Sequence, residues 1–396
     1  MTEPERDELV GGGAPTIATR LAFLQRAGGV TGAILTTVLA FVVGGLVVAA
    51  TGANPFSTYR AIFDGSGLNW LFPWVTGQDR AFAAGNLQQT LLLTTALALT
   101  GLAVGFAFRS GLFNIGGEGQ YLVGSILAVW TGSSFAGLAG AQHILLVVAL
   151  STLAGAAYAA VAGALKALVG AHEVITTIML NWIAVWVGSW LYAPGGALHG
   201  AGSFPESRTI ADAAHLPVFW GSATLQGLDV GFFVALAALA VYAVTLNRTT
   251  LGFEVRAVGF NPQAARYAGM SVARTYVVAM AIAGAFAGLA GAVDVLGWQF
   301  SVGVNDVQTS QVGFIAIAVA VLGRNRALGI GFAALLFGAL LTGTSTRNLD
   351  PSVFRPELAQ NLTLIIQGFV ILFVGADVLV LWLWTRRRRR PAVAAA

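Results

Sequence analysis

Cysteine is absent from the 396 residues, which excludes disulfides, thiolate metal sites and a cysteine nucleophile. Lysine occurs once, as Lys166 in GALKALVG. That context does not match the phosphate loop G-x-x-x-x-G-K-S/T, so the chain carries no standard ATP-hydrolysing loop. The histidines, His143, His172, His199 and His215, lie in different segments without metal-ligand spacing, which argues against a metalloenzyme. Charge is scarce as well. Charged residues make up 10% and hydrophobic ones 57%, with mean hydropathy +0.77, a balance that identifies an integral membrane protein.

The charges that remain are placed rather than scattered. The net charge of +4 does not point to nucleic acid, because the arginines flank hydrophobic runs and five of them form Arg386–Arg390, a pattern that orients a membrane protein. Ten runs read as membrane spans: Val30–Ala50, Leu87–Phe108, Phe113–Thr131, Ile144–Val169, Val174–Ala193, Val230–Leu246, Thr275–Gly297, Val312–Gly323, Leu328–Thr342 and Leu362–Trp384. The leading tail, residues 1–29, holds Glu3, Glu5, Asp7 and Glu8 and is too acidic for the front of a signal peptide, so the first run is read as an uncleaved span. With both termini inside, the cytoplasmic segments carry 16 basic residues and the outer ones 5. The expected organisation is a cytoplasmic tail (1–29), a membrane domain (30–384) and a basic cytoplasmic tail (385–396). The fold class is all-α and polytopic, with an inverted five-plus-five repeat, because a repeat of five spans must turn upside down. Gly101 with Gly105, and Gly284 with Gly288, offer small-residue faces for close helix packing.

The longest polar interruption on the inner side is residues 247–274. Asn261 suits an N-cap, Pro262 the first helical position and Gly269 the residue past the end, so a short helix over Pro262–Ala268 is predicted. Its alanines, Ala264, Ala265 and Ala268, leave it slender enough for another surface to approach.

A second interruption is RSGLFNIGGEGQYLVGS, residues 109–125. Glu118 costs roughly 2.5 to 3.5 kcal/mol inside a membrane helix unless it faces protein or water. Together with Asn114, Gln120 and the surrounding glycines, it predicts a broken helix near Asn114–Gln120 that lines a path. The competing reading is a carboxylate capping the start of the third span and tied to Arg109. Asn181 and Trp182, one turn after Thr176 and Thr177, also qualify for a path, as does Phe113. Asp294, Trp298, Asn305, Asp306, Gln308 and Gln311 cluster around the seventh and eighth spans; Trp298 suits either base stacking or an interfacial anchor. Asp377, in the last span, reads as a structural partner for an inner arginine.

Four stretches, FNIGGEGQYLVGSILA, AHEVITTIMLNWIA, VRAVGFNPQAARYAGM and FIAIAVAVLGRNRALG, together resemble permease subunits of bacterial ABC importers in the branched-chain amino acid, ribose and nucleoside group. The resemblance runs from about Leu87 to Trp384 and is strongest to the larger permease of nucleoside importers that work with a basic-membrane-lipoprotein type of binding protein. It implies that residues 252–269 dock on a separate ATPase through Glu254, Arg256, Asn261, Pro262, Ala264, Ala265 and Gly269. It also implies ATP and magnesium on that partner and no cofactor in this chain, a second and often non-identical permease, and a lipid-anchored binding protein outside. Substrate-path residues would be Phe113, Asn114, Glu118, Gln120, Asn181, Trp182, Trp298 and Gln308. An ABC permease for ribose or branched-chain amino acids remains open, as does an ion-driven carrier using Glu118 or Asp377.

Overall fold

The computed structural model describes residues 30–345 except 51, 136 and 223–226, together with 364–365, 368–369 and 372. Both tails, Asp377 and most of the tenth predicted span lie outside the described residues. The helices are α1 (Val30–Ala50), α2 (Pro55–Gly65), α3 (Gly77–Arg109), α4 (Gly117–Ser134), α5 (Gly140–Val169), α6 (Glu173–Tyr192) and α7 (Gly231–Arg248). Then follow α8 (Thr250–Phe260), α9 (Pro262–Tyr267), α10 (Val272–Asp294), α11 (Val304–Thr309), α12 (Val312–Leu322) and α13 (Ala327–Gly343). Among the described residues, six helical segments are long and apolar enough to cross a membrane, and a seventh results if α2 and the end of α1, bent by 118°, form one crossing. The protein is a polytopic helical membrane protein. One departure from an all-α chain is a small hairpin, β1 (Val218–Trp220) antiparallel to β2 (Leu228–Asp229), between α6 and α7.

Helix α3 is the axis. Its most apolar window is 83% buried, against 61% for the crossing that begins with α10, 28% for α7 and 22% for α5, so α3 is the most enclosed of the crossing helices. Helix α10 packs against α5, α4 and α3, and glycine lets it do so at backbone distance. A Cβ on Gly284 would lie 2.1 Å from the Gly155 carbonyl oxygen, and one on Gly288 would lie 2.4 Å from that of Ser151. No side chain fits either gap. Contacts this close supply the dispersion that holds helices together where lipid removes the hydrophobic drive.

The third predicted span appears as α4, with Glu118, Tyr121, Leu122 and Ser125 among its many buried residues. The interruption expected near Asn114–Gln120 is a connection between two helices, residues 110–116, rather than a break inside one. A break within a single crossing occurs elsewhere, where α11 and α12 separate at Ser310–Gln311. Its eleven residues at 1.5 Å each make α12 about 16 Å long, roughly half of what a ~30 Å hydrocarbon layer requires.

Candidate functional site

Glu118 explains why the broken crossing is stable. Its Oε2 accepts from the Gly313 N–H at 2.7 Å, so the carboxyl group of α4 satisfies a free donor at the first turn of α12 and meets the positive end of that helix. Gly313 has to be glycine, since a Cβ there would fall 2.1 Å from the Glu118 nitrogen. The expected partner, Arg109, is engaged elsewhere: its Nε donates to the Asn325 carbonyl at 3.0 Å.

The neighbouring amides are clamps. Asn114 and Gln120 exchange side-chain hydrogen bonds at 3.1 and 3.0 Å, and Asn114 Oδ1 also accepts from the Gly116 N–H at 3.0 Å. Asn181 reaches across from α6, accepting from the Gly119 N–H at 2.8 Å and donating to the Ile115 carbonyl at 2.9 Å. All three side chains are buried. They satisfy the backbone of the 110–116 connection and the start of α4. Trp182 is 57% exposed on α6, alongside Trp186 and Trp190. Phe113 stacks on Phe108 with centroids 4.8 Å apart. Gln308 is exposed and donates to Ser189 Oγ at 3.3 Å.

Trp298 does reach a cavity. A space of about 430 Å³ opens where α3, α4, the α10 end and the α11–α12 break meet, and Tyr121, Ser125, Glu206, Asp294, Trp298, Gln299 and Ser310 contribute to its lining. Asp294, 3% exposed, accepts from the Tyr121 hydroxyl at 2.8 Å and from Trp298 Nε1 at 3.2 Å. Glu206, from the α6–α7 connection, accepts from the Ser301 hydroxyl. A π-helical turn, Val295–Gln299, ends α10 here, and Phe300 follows in the left-handed region at φ 58°. Such turns re-aim side chains and recur at functional sites. Leu93, Leu97, Ile315 and Leu341 form apolar walls. Carboxyl and hydroxyl groups beside an indole suit an uncharged ligand with hydroxyls and a flat face. Sequence reasoning weighed Asp294 and Trp298 but missed Tyr121, Ser125, Glu206 and Gln299. The available signal was the placement of Tyr121 and Ser125 four apart on one helical face.

At the opposite end of α7, residues 247–274 form two helices, not one. Thr249 caps α8, its Oγ1 accepting from the Gly252 N–H at 3.0 Å. Asn261 caps α9 as predicted, its Oδ1 accepting from the Gln263 and Ala264 N–H groups at 3.0 Å each. Gly269 ends the unit at φ 85°. Arg256, Asn261, Pro262 and Ala264 are exposed, Glu254 is half-buried, and Phe260 and Tyr267 are 94% exposed. Ala265 differs from expectation. It is 4% exposed and packs in a small cluster with Val258 and Val272, so it holds α9 down and is not available to a partner. The unit is also anchored to the bundle: a Cβ on Gly259 would lie 2.2 Å from the Arg109 carbonyl oxygen.

A polar cavity within a bundle of apolar helices, with a capped helix pair at one end, suits a membrane transport component. The chain belongs to the family of branched-chain amino acid transport system permease components, whose model matches residues 86–375. It is 35% identical over 361 residues to a guanosine ABC transporter permease protein of Bacillus subtilis (strain 168), covering 91% of this chain and 97% of that one. It is 32% identical to a nucleoside ABC transporter permease protein of Lactococcus lactis subsp. cremoris (strain MG1363), covering 88% and 91%. A glucose ABC transporter permease protein of Haloferax volcanii is 34% identical, covering 86% of each chain. No solved structure matches.

Proposed function

We propose that this chain is the transmembrane permease subunit of an ATP-driven importer that carries nucleosides across the bacterial cytoplasmic membrane. The observation that carries the reading is near-full-length similarity to relatives named for guanosine and nucleoside transport. The cavity chemistry agrees with it: Asp294 and Glu206 are acceptors for ribose hydroxyls, and Trp298 offers a face for a base. ATP and magnesium belong to a separate ATPase docked on α8–α9 through Arg256, Asn261, Pro262 and Ala264. Phe260 and Tyr267 add exposed aromatic surface there. Movement of that unit passes through the Gly259–Arg109 contact to the 110–116 connection and so to α4, which presents Tyr121 to the cavity. A second permease and a lipid-anchored binding protein complete the assembly. Ten spans in inverted halves with both termini inside remain the expected topology.

A second reading, hexose transport, is favoured by the Haloferax relative, and hydroxyl recognition alone serves both. Competitive uptake of labelled guanosine and glucose by cells expressing the complete importer separates them. Nucleoside uptake should dominate and should fall in Trp298→Ala; glucose uptake without nucleoside uptake overturns the proposal.

A further inference from the structure

A second, larger space of about 1020 Å³ lies at the α8–α9 end, bounded by α1, α7, α13 and the turn at 323–326. Arg109, Arg256, Arg324 and Arg326 line it, and among the described residues no carboxylate does. Among the described residues, Arg109, Arg256 and Arg326 have no ion-pair partner. The turn is held firmly. Arg324 and Asn325 both sit at φ 52°, a conformation that asparagine tolerates but that is costly for arginine, and the Asn325 carbonyl accepts from both Arg109 Nε and the Tyr242 hydroxyl at 3.0 Å. The other side of the space is apolar and open: Leu328 is 76%, Phe332 72% and Val38 53% exposed.

We infer that this space holds the headgroup and upper acyl chains of an anionic phospholipid. Guanidinium groups bind phosphate oxygens in bidentate fashion, and basic recesses between membrane helices on the cytoplasmic side collect anionic headgroups. A soluble anion would explain the arginines but not a leucine, a phenylalanine and a valine exposed at the same opening. An amphiphile explains both. The inference does not depend on what the protein transports, because lipid retention is read without uptake.

The test is native mass spectrometry of the purified full chain, exchanged into phosphatidylglycerol or phosphatidylcholine. The wild type should retain phosphatidylglycerol in preference. Arg256→Gln/Arg326→Gln, which alters two exposed side chains and leaves the Arg109–Asn325 contact intact, should lower that retention by roughly thirtyfold. Phe332→Ser should weaken retention without changing charge, whereas Arg248→Gln/Arg266→Gln, outside the space, should behave as wild type. Equal retention of the two lipids, or an equal loss in the outside pair, overturns the inference by showing only diffuse charge attraction. Displacement of the lipid by excess inorganic phosphate overturns it in favour of a soluble anion. Unchanged lipid retention in Arg256→Gln/Arg326→Gln overturns it as well, whatever the effect on ATPase co-purification, in which Arg256 takes part on the proposed function.

Discussion

Glu118 gives the most discriminating perturbation, because its two roles predict opposite patterns. If its carboxyl group supports the start of α12, the property that matters is an acceptor 2.7 Å from the Gly313 N–H. Glu118→Gln keeps an amide oxygen in that place and should lose only part of the interaction with the helix end, about 0.3 to 1 kcal/mol. Glu118→Leu leaves a buried donor unsatisfied, at about 1 to 3 kcal/mol in addition. Since about 1 kcal/mol shifts the midpoint of a chain of 396 residues by roughly 1 °C, the leucine variant should melt about 1 to 4 °C below the glutamine variant. The assay is thermal unfolding of the detergent-solubilised protein followed by size exclusion, paired with uptake in cells. Glutamine should retain most of both yield and transport. Normal melting of Glu118→Gln with abolished uptake would refute the supporting role and put the side chain in the passage. Equal melting of the leucine and glutamine variants would show that the Gly313 contact contributes nothing.

The remaining predictions concern other sites. Ala265→Trp should overpack the Val258–Val272 cluster and destabilise α9 by about 1 to 3 kcal/mol, whereas Ala264→Trp, at an exposed position, should leave folding intact and lower ATPase co-purification; identical melting of the two variants would contradict the packing. Burial pushes the Asp229 carboxyl from 3.8 up to about 6, with the Gly231 N–H opposing the shift. A raised acid pKa costs stability as pH rises through 3.8 to 6, on the order of 3 kcal/mol once both states are ionised. Asp229→Asn should therefore raise the melting temperature at neutral pH and lose that advantage on acidification, which a pH series of thermal melts checks. Cysteines introduced at Ser203 and Asn261 should react with an impermeant maleimide from outside and inside respectively; outside labelling of Asn261 in intact cells would reverse the topology.

The α9 helix was legible from sequence because its determinants are local. Asn261 caps donors two and three residues away, Pro262 supplies a fixed φ, and Gly269 takes the left-handed turn, so neighbouring residues alone decide it. Glycine at 284 and 288 could likewise be read as a close-packing face, since the spacing of a helix puts them one turn apart. What those glycines touch was not in the sequence. The roles of Glu118 and Asn181 were decided by partners 195 and 62 residues away, and no local rule states which backbone donor will arrive at a carboxyl group. The same holds for Ala264 and Ala265, adjacent and chemically identical: their sequence supports either as a contact surface, and only the packing of α9 on Val258 and Val272 turns one inward and leaves the other outside. Local conformational preference is a property of the chain, whereas pairing across the bundle follows from how whole helices settle against one another, which no single stretch contains.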